Sequence, residues 1–446
     1  MHRKQVSTNI RKTRDIVLLT LLFVAAIAAG AARAQTYTNL HSFAAGTDGA
    51  DPTPIIRDEE GNIYGATRFG GIPSCNLDTC GTVFKIDSAG KETVLYRFEG
   101  GNNGSNPLAG LVRDAKGNLY GTTQGNGYVG GASVVFKVNP QGHQTVLFVA
   151  GETAQGCCLD SPVAVDAHGN VYGMSPYGGK PNCGVAQNGL GCGTLFKIAP
   201  DGKFTVIHVF KGKDGIQPEG GVVLDAKGNI YGTAVWGGNL KCNYPGWGAG
   251  GGPGCGTIYK LEPSGKFTVL HTFTGPNDGS YPLGLIIDDA GNLYGIADSG
   301  GDVIKHTNWE YGLGTIFKVD TSGKYSVLFA FKPCTEPPCT NGQVLNHLYA
   351  SHLARDSKGN LYGIEESNDC AFGGGCIFRI DAKGNITDLY DFTQDQSGAP
   401  EFYDAMGLVL GSDGDFYGST PFGGSEEPEC DDNIGVACGS VFHITF

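Results

Sequence analysis

Beyond residue 34 the sequence has no apolar run that approaches the length of a membrane span, and only three methionines are spread over its 446 residues. Apolar spacing of helical period is absent there too, which excludes a helical core. No Cys-x-x-Cys pair or Cys/His cluster occurs, so no metal is expected. The many glycine segments precede strands rather than helices, which excludes a phosphate loop or dinucleotide fingerprint, and no cofactor is expected. His306, His347 and His352 have no Ser-His-Asp order around them. Basic residues are also scarce, with 31 Lys and Arg against 44 Asp and Glu. An acidic surface repels phosphate backbones and anionic lipid, so nucleic acid and membrane surfaces are poor partners.

What is present begins with a leader. Arg3, Lys4, Arg11, Lys12 and Arg14 precede a run of apolar and small residues from Ile16 to Ala32, closed by Ala32-Arg33-Ala34. This is the pattern of a secretory signal peptide over residues 1–34, removed before Gln35. The segment holds six basic residues and one acid, so its loss takes the net charge from −13 to −18. The expected product is an exported monomer, periplasmic or secreted, with no membrane span.

Glycine is abundant, at 73 residues, and much of it recurs in register. Gly61-Asn62-Ile63-Tyr64-Gly65 returns with small changes at residues 117, 169, 228, 291 and 359, and once more as Gly414-Asp415-Phe416-Tyr417-Gly418, giving seven copies. Around each copy lie four strand-like pieces. Strand A is a short apolar run ending in Asp, as in Leu111-Val112-Arg113-Asp114. A turn leads to strand B, and its Gly-Asn pair is expected to supply the positive-φ positions of a tight hairpin. Strand C is of the Gly-Thr-Val-Phe-Lys-Ile type and strand D of the Thr-Val-Leu-Tyr-x-Phe type. Apolar residues on both strand faces call for sheets buried between sheets, and four-stranded sheets repeated about an axis make a propeller. The seventh unit lacks its strand D, while Thr38-Asn39-Leu40-His41-Ser42-Phe43 stands alone at the start. Residues 38–43 are therefore expected to pair with residues 439–446. Residues 35–446 are read as a single all-β domain, a seven-bladed β-propeller of four-stranded antiparallel blades, its N-terminal strand completing the last blade.

These segments resemble the GloVer tandem repeats of exported bacterial proteins and, more distantly, NHL-type propeller blades. The resemblance spans residues 35–446. It implies a propeller and an exported protein, sometimes with a C-terminal surface anchor, and it brings no established catalytic residues. This chain departs from the anchored form by ending on a strand at Phe446.

The A-to-B and C-to-D turns are short and uniform, whereas the B-to-C and D-to-A connections on the opposite side are long and variable. Variable loops on a rigid scaffold carry binding residues. All 14 cysteines fall in these long connections. Close pairs are expected to form local disulfides, namely Cys75 with Cys80, Cys183 with Cys192, Cys242 with Cys255, Cys334 with Cys339, Cys370 with Cys376, and Cys430 with Cys438. Cys157 and Cys158 are either a strained vicinal disulfide or two cysteines that are free or linked across loops. Just after strand B stand Phe69, Tyr177, Trp236 and Phe422, which offer either a platform for a sugar or flat ligand, or packing against the next blade. Arg68 adds a hydrogen-bonding fork, and Asp298, Glu365 and Glu366 add acids at the same place. His41, His208 and His271 occupy an aromatic slot of strand D and are read as packing residues, while Asp58, Asp114, Asp166, Asp225 and Asp356 are read as turn acceptors. Two function classes follow. The first is a non-enzymatic binding or scaffold module for carbohydrate or extracellular protein at the loop-rich face, with no catalytic residue assigned. The alternative is a propeller-type hydrolase or lyase acting on an extracellular polysaccharide.

Overall fold

In the computed structural model the strands form seven antiparallel blades arranged about an axis, with no α-helix among the described residues. The structure describes residues 35–72, 80–125, 132–151, 158–179, 191–242, 253–301, 303–305, 310–333, 343–344, 353–365, 373–393, 407–421 and 438–446. Each blade runs A, B, C, D in sequence order except the seventh. There Leu408–Leu410, Phe416–Thr420 and Ser440–Thr445 supply the first three strands and Thr36–Ser42 the fourth. Thr36 pairs with Thr445 and Ser42 with Ser440, so the closing strand is Thr36–Ser42 rather than residues 38–43.

The repeated motif is a hydrogen-bonded turn. In the second blade Asp114 Oδ1 accepts the backbone amide of Asn118 at 2.9 Å, while Oδ2 accepts the Asn118 side-chain amide at 2.8 Å and the Tyr120 hydroxyl at 3.0 Å. Asp58, Asp166, Asp225, Asp288 and Asp356 hold equivalent bonds to the Asn and Tyr of their own turns. Only the glycine of the Gly-Asn pair takes a positive φ, 80° at Gly117. The expectation for Asn is corrected: its side chain is spent on the aspartate and its φ is ordinary. The final glycine of the motif has a different task. A Cβ on Gly121 would stand 2.7 Å from the ring of Phe136, so the missing side chain lets the strand C ring lie across strand B.

Buried residues gather in seven clusters, and each spans one joint between neighbouring blades. At six joints the last Phe of one strand D meets the strand C ring of the next blade. The pairs are Phe43 with Phe84, Phe98 with Phe136, Phe210 with Tyr259, Phe273 with Phe317, Phe331 with Phe378, and Phe392 with Phe442, at centroid distances from 5.0 to 5.7 Å. Such tilted pairs add about 0.5–1.5 kcal/mol each beyond burial. The joint between blades 2 and 3 is the exception. Ala150 stands in the Phe slot, and Leu159 fills the space against Val135 and Phe196. Because the core lies in the joints, the centre of the ring is left to the inner strands and a channel.

Cys242 and Cys255 form the expected within-loop disulfide, with Cα atoms 5.7 Å apart. Cys80, Cys192, Cys376 and Cys438 are also disulfide-bonded. Cys75, Cys157, Cys183, Cys334, Cys339, Cys370 and Cys430, together with residues 1–34, lie outside the described residues.

Candidate functional site

The chain enters strand A of the first five blades through a residue in the left-handed region: Asp51, Asn106, Cys158, Gln217 and Tyr281, with φ between 56° and 61°. Side chains other than glycine seldom adopt this conformation, at a cost of order 1–3 kcal/mol. Bonds across the joint hold it. The amides of Asp51, Asn106, Gln217 and Tyr281 donate to the carbonyls of Cys438, Cys80, Cys192 and Cys255 at 2.9–3.1 Å. Each acceptor is a disulfide-bonded cysteine of the preceding blade. The disulfide loops therefore anchor the entrance to the neighbouring blade's inner strand.

Two residues past each left-handed position, the side chains of Thr53, Leu108, Asp160, Glu219 and Leu283 line one cavity of about 340 Å³. Residues from non-adjacent blades share it, which places it on the ring axis, at the end where strands A begin and the long loops lie. Blade 4 carries a bulge between Glu219 and Val222, and such bulges re-aim side chains. Proline dominates the rest of the wall, with Pro52, Pro54, Pro162 and Pro421.

Arg68 lines the cavity with its guanidinium already held. Nε donates to Asn106 Oδ1 at 3.0 Å, Nη1 lies 3.6 Å from Asp51 Oδ2, and the head sits 5.0 Å from the Phe69 ring centroid. Across the channel, burial raises the Asp160 carboxyl to about 6, opposed by the Ser161 hydroxyl that donates to it at 3.2 Å. Burial, and then the charge of Asp160, raises Glu219 to about 7, opposed by the Gln217 amide at 2.7 Å. Both carboxyls reach solvent only in part, along the channel. The charge of Asp160 acts on Glu219, so the two carboxyls ionise in succession near neutrality. Two adjacent blades thus offer the cavity a donor and an acceptor.

Sequence-derived candidates fall in several places. Arg68 faces the channel and Phe69 lies beside it. Trp236 packs edge-on against Tyr281 of the next blade at 4.2 Å, at the edge of the core between blades 3 and 4. Tyr177 is half-buried, and its carbonyl accepts the Ser175 hydroxyl at 2.7 Å. Asp298 holds in blade 5 the strand position of Arg68 but does not line the cavity, and burial alone raises it to about 7. The backbone of Glu365 pairs with Cys376, while Glu366 and Phe422 lie outside the described residues. Sequence reasoning missed Asp51, Thr53, Asn106, Asp160, Gln217 and Glu219. The signal for Asp51, Thr53, Asn106, Gln217 and Glu219 was the x-Pro step opening strand A, seen at Pro52, Pro107, Pro218 and Pro282, whereas Leu159 stands in that place before Asp160.

A family model for the Gloeobacter/Verrucomicrobia repeat matches residues 30–243 and 186–346, well over half of the chain. The chain belongs to this family. No curated protein matches it. Among solved structures, the extracellular domain of a hybrid two-component system from B. thetaiotaomicron superposes with a TM-score of 0.52 at 11% identity, over 91% of this chain and 39% of that one. A luciferin-regenerating enzyme follows at TM-score 0.43 and 15% identity, covering 78% of this chain and 92% of that one. A gluconolactonase from Xanthomonas campestris gives 0.36 and 13%, covering 74% and 82%. At 11% identity the likeness to the B. thetaiotaomicron domain is one of fold.

Proposed function

We propose that this repeat protein is an exported binding module whose ligand, carbohydrate or extracellular protein, enters the channel at the loop-rich face. One observation carries this. Positions that serve the fold are filled alike from blade to blade, whereas the channel position reads Thr53, Leu108, Asp160, Glu219 and Leu283 in five successive blades. A residue that only closed the ring would have no reason to be an acid in two blades and a leucine in two others. Arg68 forms part of the wall, and Phe69, Tyr177, Trp236, Asp298, Glu365 and Phe422 are proposed for the surrounding mouth. The test is a plug. Leu108→Trp fills the cavity without touching the loops, and is expected to abolish capture on glycan arrays and in pull-downs at an unchanged melting temperature. Capture that survives the plug would place the ligand elsewhere.

A second function, hydrolysis or elimination on an extracellular polysaccharide, draws on the Asp160 and Glu219 pair, since acids that exchange a proton near neutrality suit general acid and base work. It requires release of new sugar ends by the wild type and loss of that release in Glu219→Gln.

A further inference from the structure

One residue of the cavity wall carries a hydroxyl that the fold does not use. Thr53 is 6% exposed and lines the cavity, yet its Oγ1 has no hydrogen-bond partner. A buried hydroxyl left unpaired is costly and is normally satisfied by water or a ligand. The carboxyls opposite are half-used in the same sense. Gln217 binds Glu219 Oε1 and Ser161 binds Asp160 Oδ1, which leaves the second oxygen of each without a protein partner among the described residues. Between these groups lie the apolar faces of Leu108, Leu283 and the proline walls.

We propose that the cavity seats the terminal sugar residue of a neutral glycan, whose adjacent hydroxyls bond to Asp160, Glu219 and Thr53 while its C–H faces lie on the leucine and proline walls. This rests on the placement of the ligand in the channel and adds its class. The alternatives fit the geometry less well. An anionic ligand would need a free cation, but Arg68 is already engaged by Asp51 and Asn106. A divalent cation takes six to eight oxygens, and no group of three or more His, Cys, Asp or Glu able to hold a metal is found among the described residues. The volume, about 340 Å³, sits at the small end of ligand pockets of roughly 300–1,000 Å³, the scale of a chain end rather than of a bound polymer. The charged groups of the wall besides the pair are Asp51 and Arg68, both from blade 1, while blades 2 and 5 contribute leucine to the ring.

The test is calorimetry on the exported chain with methyl glycosides of neutral hexoses and their disaccharides, alongside calcium chloride and spermidine as competing classes. A glycoside is expected to bind, and to bind more weakly above about pH 7, where both carboxyls lose their protons. Thr53→Val is expected to weaken binding about tenfold, the scale of one lost hydrogen bond. Glu219→Gln keeps a donor and an acceptor, and is expected to retain the affinity while removing the pH dependence at about pH 7 and leaving that of Asp160 at about pH 6. Melting temperatures of the variants guard against simple unfolding, and Asp160→Asn provides an independent second variant. Calcium or spermidine binding that strengthens with pH, and is lost in Glu219→Gln, would overturn the sugar assignment and leave the channel as the site. Glycoside binding indifferent to Thr53→Val and Glu219→Ala, or no binding by any of these probes, would overturn the proposal.

Discussion

Aspartates play opposite parts in different regions of this ring, and the difference predicts a signed pH profile. At the turns, burial works against the charge of Asp58, Asp114, Asp166, Asp225, Asp288 and Asp356. Bonds from the neighbouring Asn, from backbone amides and from Tyr together outweigh it and hold these carboxyls below their ordinary range. Asp48, Asp214 and Asp278 behave likewise, burial being outweighed by a His side chain and by loop amides. A group depressed in the fold contributes stability above its unfolded value, near 4, and loses it as pH falls through the folded value. Asp160, Glu219 and Asp298 are raised, to about 6, 7 and 7, so their burial costs progressively more as pH climbs from about 4 toward 7. The melting temperature should therefore peak at about pH 4 to 5, falling on the acid side as the turn aspartates take up protons and on the neutral side as Asp160, Glu219 and Asp298 lose theirs. Asp160→Asn with Glu219→Gln should make the neutral limb shallower, leaving the share of Asp298, and keep the acid limb intact, and an unchanged neutral limb would assign it to other groups. The turn aspartates were legible in the sequence because the hydrogen-bonded turn repeats the same Asp, Asn and Tyr in six of the seven blades. Asp160 and Glu219 were not, because nothing in residue type distinguishes a channel acid from a solvated one, and Leu159 breaks the x-Pro step in the blade of Asp160.

At the scale of the strand, the outer edge of each blade is shaped by two repeated devices. All seven C-to-D pairings carry a register shift at the same place, as between Val83 and Phe84. In this outer strand the ring of His208 stacks on Phe267 and that of His271 on Tyr325, each at 3.7 Å, while their Nε2 atoms lie 3.1 and 3.0 Å from Asp214 and Asp278. The packing role read for these histidines is present, and a polar tie to the D-to-A loop is added to it. That tie was hidden because its two members lie in different structural pieces, six and seven residues apart. The Phe that ends strand D makes a larger contribution. Phe273 is fully buried, and Phe273→Ala is expected to lower stability by about 3–5 kcal/mol in denaturant melts. Val149→Ala, one residue before the Phe slot that Ala150 fills at the odd joint, should cost well under 1 kcal/mol, since that side chain is 43% exposed. Equal losses at the two positions would mean that the joints are not where the stability resides.

The whole molecule depends on how the ring is shut, because a propeller has no core that survives an open joint. The seven-blade count and the closing partner were both legible in the sequence. Seven turn motifs with an unpaired strand D at one end and a missing strand D at the other admit one economical ring. What was not legible is the reinforcement around the closing strand. Tyr37 stacks near Phe442 at 5.8 Å and Tyr390 at 6.3 Å, and Phe43 sits fully buried against Phe84 with its amide bonded to the Gly439 carbonyl at 3.0 Å. Arg57 of blade 1 reaches Asp413 of blade 7 at 3.0 Å and lies over the Tyr417 ring at 4.3 Å. Deleting residues 36–43 from the chain of residues 35–446 removes the strand and Phe43 but leaves the Arg57 bridge in place. Loss of Phe43 alone is worth about 3–5 kcal/mol, so the melting temperature should fall by on the order of 10 °C, and the bare edge of Ser440–Thr445 should promote association between molecules. Arg57→Ala, which removes a partly exposed ion pair and its cation–π contact, should cost only about 1–2 kcal/mol. A synthetic peptide of residues 35–45 added to the truncated chain is expected to recover part of the lost stability in proportion to its concentration, since it binds only the folded ring. Truncated protein that melts with the intact chain, or that ignores the peptide, would show that the ring is held shut by the contacts between blades 1 and 7 and not by the strand.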